Sequence, residues 1–428
     1  MRVLSGSQAA GLVRASDHLA VPLGPGQPRE FLHALGERDD FRDLTVFAAL
    51  LVDAFALFTR PGVHLRSGFF GPVERALAEA GHDVQFVPAD FRGFEGIARR
   101  LAPRVMATCA APPDARGQLS LSLHAGATVQ ELLRCGRDPE RLLVVEASSR
   151  LPRTRGLPPE HPHALHVDDV DVLIESDREP PQIEDAPPGP VEREIARRVR
   201  PFVPDGATLQ AGIGGIPNAL ASLLAEGPGG DYGIHTEMFT SGLMRLHRAG
   251  KVSNRKGLYD GFSVATFALG TRELYDWLDG CEAVRFLPVR CVNDPAAIAK
   301  NRRMVSLNGA LAVDLLGQLA ADALPGRQYS GIGGHEDFVA GASRSEGGRS
   351  LVCLPASAKR HGALVSRILP QLAPGTPVTT PRHRVDVVVT EFGAAELEGR
   401  SVRERALALA ALAHPDFREE LAKLAARL

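Results

Sequence analysis

The chain has 428 residues, with 49 Lys+Arg against 51 Asp+Glu, 23% charged and 44% hydrophobic residues, the mix of a soluble globular protein of two or three domains. That near-neutral balance offers nothing to draw in a nucleic acid or an anionic membrane, and 5% aromatics gives no base-stacking platform. The five cysteines (Cys109, Cys135, Cys281, Cys291 and Cys353) form no CxxC pair, which argues against a zinc site or a disulfide framework and fits a reducing cytoplasm.

Taken in chain order, the N-terminal apolar stretch is too short and too interrupted for a signal peptide. The apolar run Thr45 to Phe58 contains Asp53 and is too short to span a bilayer, so it reads as buried strand or helix. Leu142–Glu146 and Val170–Ile174 read as strands. Between them His161, His163, His166, Asp168 and Asp169 match no metalloenzyme spacing and read as a polar surface loop. The segment 177–190 is rich in proline and acid without apolar periodicity, which makes it a linker. It divides the chain into a first domain, 1–176, and a second, 191–428. In the second, Asn218–Ala225, Ala296–Arg302 and Ser401–Ala413 read as helices and Val385–Thr390 as a strand. Alternating strands and helices predict α/β layers with mostly parallel sheets.

Three segments carry candidate chemistry. Thr208-Leu-Gln-Ala runs into Gly212-Ile213-Gly214-Gly215-Ile216 and then Pro217, expected at the first helical position. Bare backbone N–H groups at a helix start suit a phosphate or an oxyanion. A dinucleotide fingerprint fails here, because its third glycine would fall on Pro217 and no acidic residue follows at the ribose-binding distance. Gly233-Ile-His-Thr-Glu237-Met-Phe places a carboxylate among apolar and small residues, where it suits a nucleophile or base, or simply a helix start. Tyr329-Ser-Gly-Ile-Gly333-Gly334-His335 is a second Gly-rich turn. Each pattern alone fits an ordinary turn as well as a site. The basic clusters Arg360-His361 and Arg382-His383-Arg384 could meet phosphates, but charge alone favours a solvated face.

As an ordered set, with Ala265–Gly270, Val292-Asn293-Asp-Pro295, Val305–Asn308, Val313-Asp314 with Gly317-Gln318, Pro355–Lys359, Ser366–Ile368, Val378–Thr380, Val389–Gly393 and His414–Arg418, these segments resemble the acetyl-CoA hydrolase/transferase family, nearest its 4-hydroxybutyrate/butyryl-CoA:acetate branch. The likeness is strongest from Asp205 onward; Pro112–Asp114, Gly117 and Leu151–Gly156 also match, and residues before about 40 fit poorly. The resemblance implies two open α/β/α domains of the CoA-transferase type, also seen in the NagB/RpiA-like fold, with the active site at their interface. It implies CoA transfer between a short-chain acyl-CoA and a carboxylate such as acetate, through a glutamyl-CoA thioester on Glu237. Asn293 would assist the thioester carbonyl, and Gly212, Ile213, Gly214, Gly215, Ile216, Gly334 and Lys359 would contact CoA. CoA enters as a substrate; no permanently bound cofactor or metal is implied. A homodimer or homotetramer is the assembly expected, with no nucleic-acid or membrane partner. An acyl-CoA hydrolase using the same glutamate, or a CoA-binding protein without turnover, are the alternative readings. Two positions depart from relatives: His335, where glutamine is usual, and Gly309, where serine or cysteine is usual.

Overall fold

The computed structural model describes residues 1–428. They form two compact units, Met1–Ile183 with Val264–Val292, and Glu184–Ser263 with Asn293–Leu428. The crossing at 183/184 lies inside the segment expected to link the domains. The contiguous second domain expected over 191–428 is, however, interrupted. Residues 264–292, which carry all but the first residue of the strand Ser263–Ala265, the strand Phe267–Ala268 and the helix Arg272–Leu278, group with the first unit. Sequence pattern reveals each element but not which core it joins.

The first unit is built on eight parallel strands: β1 (Arg2–Val3), β2 (Ser16–Ala20), β3 (Asp43–Ala48), β4 (Val63–Ser67), β5 (Val84–Phe86), β6 (Val105–Ala110), β7 (Leu142–Ser148) and β8 (Val172–Ser176). Their spatial order is β1-β8-β7-β6-β2-β3-β4-β5, and every pairing is parallel. All of β6 and β7 is buried, as near-continuous apolar strands covered on both faces must be. Helix α1 (Arg29–Gly36) follows β2 and sends Phe31, Leu32 and Leu35 into the core. The expected surface loop around His161 is only partly one. His163 is buried, its Nε2 within reach of the Ser122 carbonyl (2.9 Å) and Thr154 Oγ1 (3.0 Å), while His166 Nε2 faces the Arg116 carbonyl (3.1 Å). The two histidines thus turn to separate partners.

The second unit begins with helix α2 (Pro190–Val199) and continues through β9 (Thr208–Ala211), α3 (Gly215–Glu226), β10 (Gly233–Ile234), β11 (Met304–Gly309), α4 (His335–Ala342), β12 (Arg349–Cys353), β13 (Val387–Thr390) and β14 (Gly393–Glu396). Helices α5 (Val402–Ala411) and α6 (Pro415–Ala425) end the chain. The sheet order is β10-β9-β11-β12-β13-β14, parallel except for the last pair. Strand order therefore reverses between β9 and β11. In open α/β sheets, ligands bind beyond the carboxyl ends of the strands at such a reversal. Leu409 and Leu421 of the terminal helices share a core with Val352 and Val388 of the sheet. Ser401 starts α5 with a capping box, its hydroxyl accepting from the Glu404 N–H and the Glu404 carboxylate accepting from the Ser401 N–H.

Two expected helices are adjusted. The one expected from Asn218 begins at Gly215, which puts Pro217 at its third residue, where a missing N–H is still harmless. The one expected over 296–302 is a single turn, Pro295–Ile298.

Candidate active site

Glu237 reaches its position because β10 is only two residues long. Pairing with β9 continues to the His235 N–H, which donates to the Leu209 carbonyl at 3.1 Å. The chain then turns out of the sheet, and Thr236 fixes that bend by donating its hydroxyl to the Met238 carbonyl at 3.1 Å. His235 is buried with its ring parallel to Tyr259 at 6.5 Å and tilted against Phe338 at 6.3 Å. Glu237 thus leaves the carboxyl end of the sheet from a packed base.

Its carboxylate is met by two other parts of the chain. Asn293, fully buried, donates from Nδ2 to Glu237 Oε2 at 2.7 Å. The same nitrogen lies 3.3 Å from Asp337 Oδ2, in the first turn of α4. Gly334 caps α4 from directly beside this pair: a Cβ there would stand 2.5 Å from Asn293 Nδ2 and would collide with Glu237 Oε2. Only glycine lets helix and carboxylate approach this closely. Burial pushes the Glu237 carboxyl up to about 8; the Asn293 hydrogen bond opposes that rise and the Asp337 charge adds to it.

The turn after β9 ends one strand away. Its proximity is set by neighbouring strand ends, since Thr236 Oγ1 also lies 3.4 Å from the Ala211 carbonyl. Gly214 has φ +123°, a conformation that side chains rarely adopt, and no side chain caps the helix that follows. The N-terminal N–H groups of α3 are therefore served by no protein carboxylate or hydroxyl at the N-cap. Ile213, at 48% exposure, offers an apolar side chain on the same turn. Gly215 has a second reason to be bare: its missing side chain makes room for Glu192 of α2, whose Cγ would lie 2.7 Å from an added Cβ.

Of the residues expected at the site, the structure brings Glu237, Asn293 and Gly334 together, with Gly212–Ile216 on the adjoining strand end. Lys359 lies outside that group, exposed on the hairpin Ser357–Arg360/Ala363–Ser366. Of the two departures, Gly309 ends β11 with open space around its α-carbon. His335 instead joins a buried network. Thr380 donates its hydroxyl proton to Glu336 Oε1 at 2.5 Å, so at 2.9 Å it can only accept from His335 Nε2. That fixes a neutral Nε2–H tautomer, in keeping with a burial that pushes the imidazole down to about 4. Glu336 also accepts from Arg384 at 3.1 Å, so one arginine of the basic cluster 382–384 pairs with a carboxylate.

Asp337, Thr380 and Glu336 were not legible as site residues. Acidic residues in the first turn of a helix are ordinary, and nothing in the order Gly334-His-Glu-Asp337 says which of them turns inward.

Residues 270–425 match the acetyl-CoA hydrolase/transferase C-terminal domain. The succinyl-CoA:cyclohexane-1-carboxylate CoA transferase of Geobacter metallireducens is 37% identical over all of this chain and 95% of its own length. The chain belongs to the acetyl-CoA hydrolase/transferase family. This CoA-transferase is also 33% identical to the 4-hydroxybutyrate coenzyme A transferase of Clostridium kluyveri, over 98% of this chain and 96% of that one. In three dimensions the CoA-transferase is similar to RipA from Yersinia pestis, with a TM-score of 0.91 at 34% identity, covering 100% of this chain and 97% of that one. No helix of the CoA-transferase is long and apolar enough to cross a membrane.

Proposed function

We propose that this CoA-transferase moves CoA between a short-chain acyl-CoA and a carboxylate such as acetate, by double displacement through a glutamyl-CoA thioester on Glu237. The observation that carries the reading is the half-buried Glu237, its carboxylate gripped at 2.7 Å by the buried Asn293 amide, with a glycine at 334 leaving its approach open.

In the first step a Glu237 oxygen attacks the thioester carbon, and collapse of the tetrahedral adduct expels CoA thiolate and leaves an acyl-glutamyl anhydride. The thiolate then attacks the glutamyl carbon and releases the first carboxylate, which leaves Glu237 as a thioester of CoA. A second carboxylate attacks that thioester, and the returning thiolate takes the new acyl group and frees Glu237. Division into steps of similar energy is the purpose of covalent catalysis. A carboxylate is a weak nucleophile in water, and the desolvation that raises Glu237 is what makes it a stronger one here.

Two different oxyanions form along this path. When the substrate thioester is attacked, the negative oxygen belongs to the substrate. The α3 N-terminus and the Gly212–Gly215 turn supply donors of the right kind for it. When the glutamyl carbon is attacked, the negative oxygen is Glu237's own. Asn293 Nδ2 sits at 2.7 Å from Oε2, inside the range such a donor needs. The geometry therefore favours Asn293 at the glutamyl carbon rather than at the thioester carbonyl, since its amide nitrogen already faces Glu237 and Asp337.

Initial rates measured over a grid of acyl-CoA and acetate concentrations test the reading. Parallel double-reciprocal lines, with little free CoA released when acetate is absent, are the expected result. Intersecting lines would contradict the double displacement, and rapid CoA release without acetate would mark a hydrolase instead.

A further inference from the structure

Asp337 has no part in the scheme above, yet it is buried beside the nucleophile. It lies in the first turn of α4, three residues after Gly334, and its Oδ2 is 3.3 Å from the amide nitrogen that holds Glu237. An amide nitrogen has two protons. One points at Glu237 Oε2, and Asp337 takes the other side. The amide oxygen of Asn293 is buried without a hydrogen-bond partner, so nothing on the carbonyl side fixes which way the amide faces. Turned over, the amide would set its oxygen against two carboxylates. The two acceptors together therefore select the orientation in which Nδ2 faces Glu237.

We propose, on the basis of the glutamyl-CoA reading, that Asp337 is a positioning residue for CoA transfer: it holds the far side of the Asn293 amide so that Nδ2 faces Glu237 Oε2, and its negative charge keeps electron density on the nucleophile. The second effect has the expected sign in the structure, because the Asp337 charge adds to the burial that raises Glu237. The groups around Glu237 are accounted for element by element. Its own strand brings His235, packed on Tyr259; the segment before Pro295 brings Asn293; and α4 brings Asp337 inward while Glu336 is paired with Thr380 and Arg384 and His335 with Thr380. Asp337 is the group among these whose charge acts on the Glu237 carboxyl.

The test is the rate of glutamyl-CoA formation from acyl-CoA alone, followed by rapid quench and intact mass from pH 5.5 to 9.5. Wild type, Asp337→Asn and Asp337→Glu are compared, with Asp337→Ser as a second neutral variant should Asp337→Asn not fold. In wild type the rate climbs as Glu237 loses its proton, with a midpoint near 8. Removing the charge moves that midpoint down by about one pH unit and lowers the plateau about 10- to 100-fold, with KM for acyl-CoA nearly unchanged. Asp337→Glu keeps the midpoint within a few tenths of the wild-type value. A role confined to folding would lower the plateau without moving the midpoint, so an unmoved midpoint in the neutral variants overturns the proposal. The underlying glutamyl-CoA reading fails separately: wild type would then give no adduct at any pH.

Discussion

Each unit carries a β–α turn where its strand order reverses, and the two turns are finished in opposite ways. In the first unit, Pro28 precedes α1 without capping it, and Glu146 from β7 supplies the missing acceptor. Its Oε2 takes the Glu30 N–H at 2.8 Å and the Phe31 N–H at 3.3 Å. In the second unit, Gly214 precedes α3 and no side chain caps it. One helix start is closed by the protein's own carboxylate; the other has no side-chain cap. The Glu146 carboxylate occupies the kind of place a bound anion takes at an open helix N-terminus. In the second unit the carboxylate of the half-buried Glu237 is instead held by the side-chain amide of Asn293.

The comparison predicts where substitutions act. The largest effect is expected at Glu237: Glu237→Ala should cut transfer about 10⁴-fold or more in a steady-state assay, with circular dichroism unchanged. Asn293→Ala should cost about 10²- to 10³-fold in kcat, the usual loss for one oxyanion donor, read in the same assay. Gly334→Ala should cost about 10²-fold, because its methyl group would force Glu237 and Asn293 apart. A change at Gly214 should fall on binding. Gly214→Ala adds strain at φ +123° of about 1–3 kcal/mol and should raise KM for acyl-CoA about tenfold in a titration of initial rates.

The smallest effect on chemistry is expected at Glu146, whose loss belongs to stability. Glu146→Ala leaves two buried N–H groups without their acceptor and should cost about 1–3 kcal/mol in chemical denaturation, while Glu237 still forms its adduct. The pH dependence separates the two carboxylates further. Burial pushes the Glu146 carboxyl well above the ordinary carboxylate range, up to about 7, with the Phe31 and Glu30 N–H groups opposing. A carboxyl raised in the folded state binds its proton more tightly when folded. It supports the fold most below its unfolded value, and that support fades as pH rises through about 7. Glu146→Gln should therefore flatten the fall of Tm between about pH 5 and pH 8 relative to wild type.

The parts of the site readable in the sequence were those whose chemistry restricts the residue. Gly214 must be glycine for its backbone, Gly334 for the approach of Glu237, and the ordered family segments place both around Glu237. The supporting residues were not readable. Asp337 meets Asn293 across 44 positions of sequence, and Thr380 meets His335 across 45, through packing that no local pattern encodes. The same holds for the fold. Alternating apolar runs mark β7, β8 and β13 to within a few residues, whereas the placement of 264–292 in the first unit depends on long-range burial that periodicity does not report.

The central claim, that Glu237 becomes covalently joined to CoA, is tested most directly by peptide mass mapping after incubation with acyl-CoA and no acceptor. The expected result is a CoA-sized mass gain confined to the peptide containing Glu237, lost on adding acetate and absent in Glu237→Ala. An unmodified Glu237 peptide, with Glu237→Ala still transferring CoA at the wild-type rate, would contradict it.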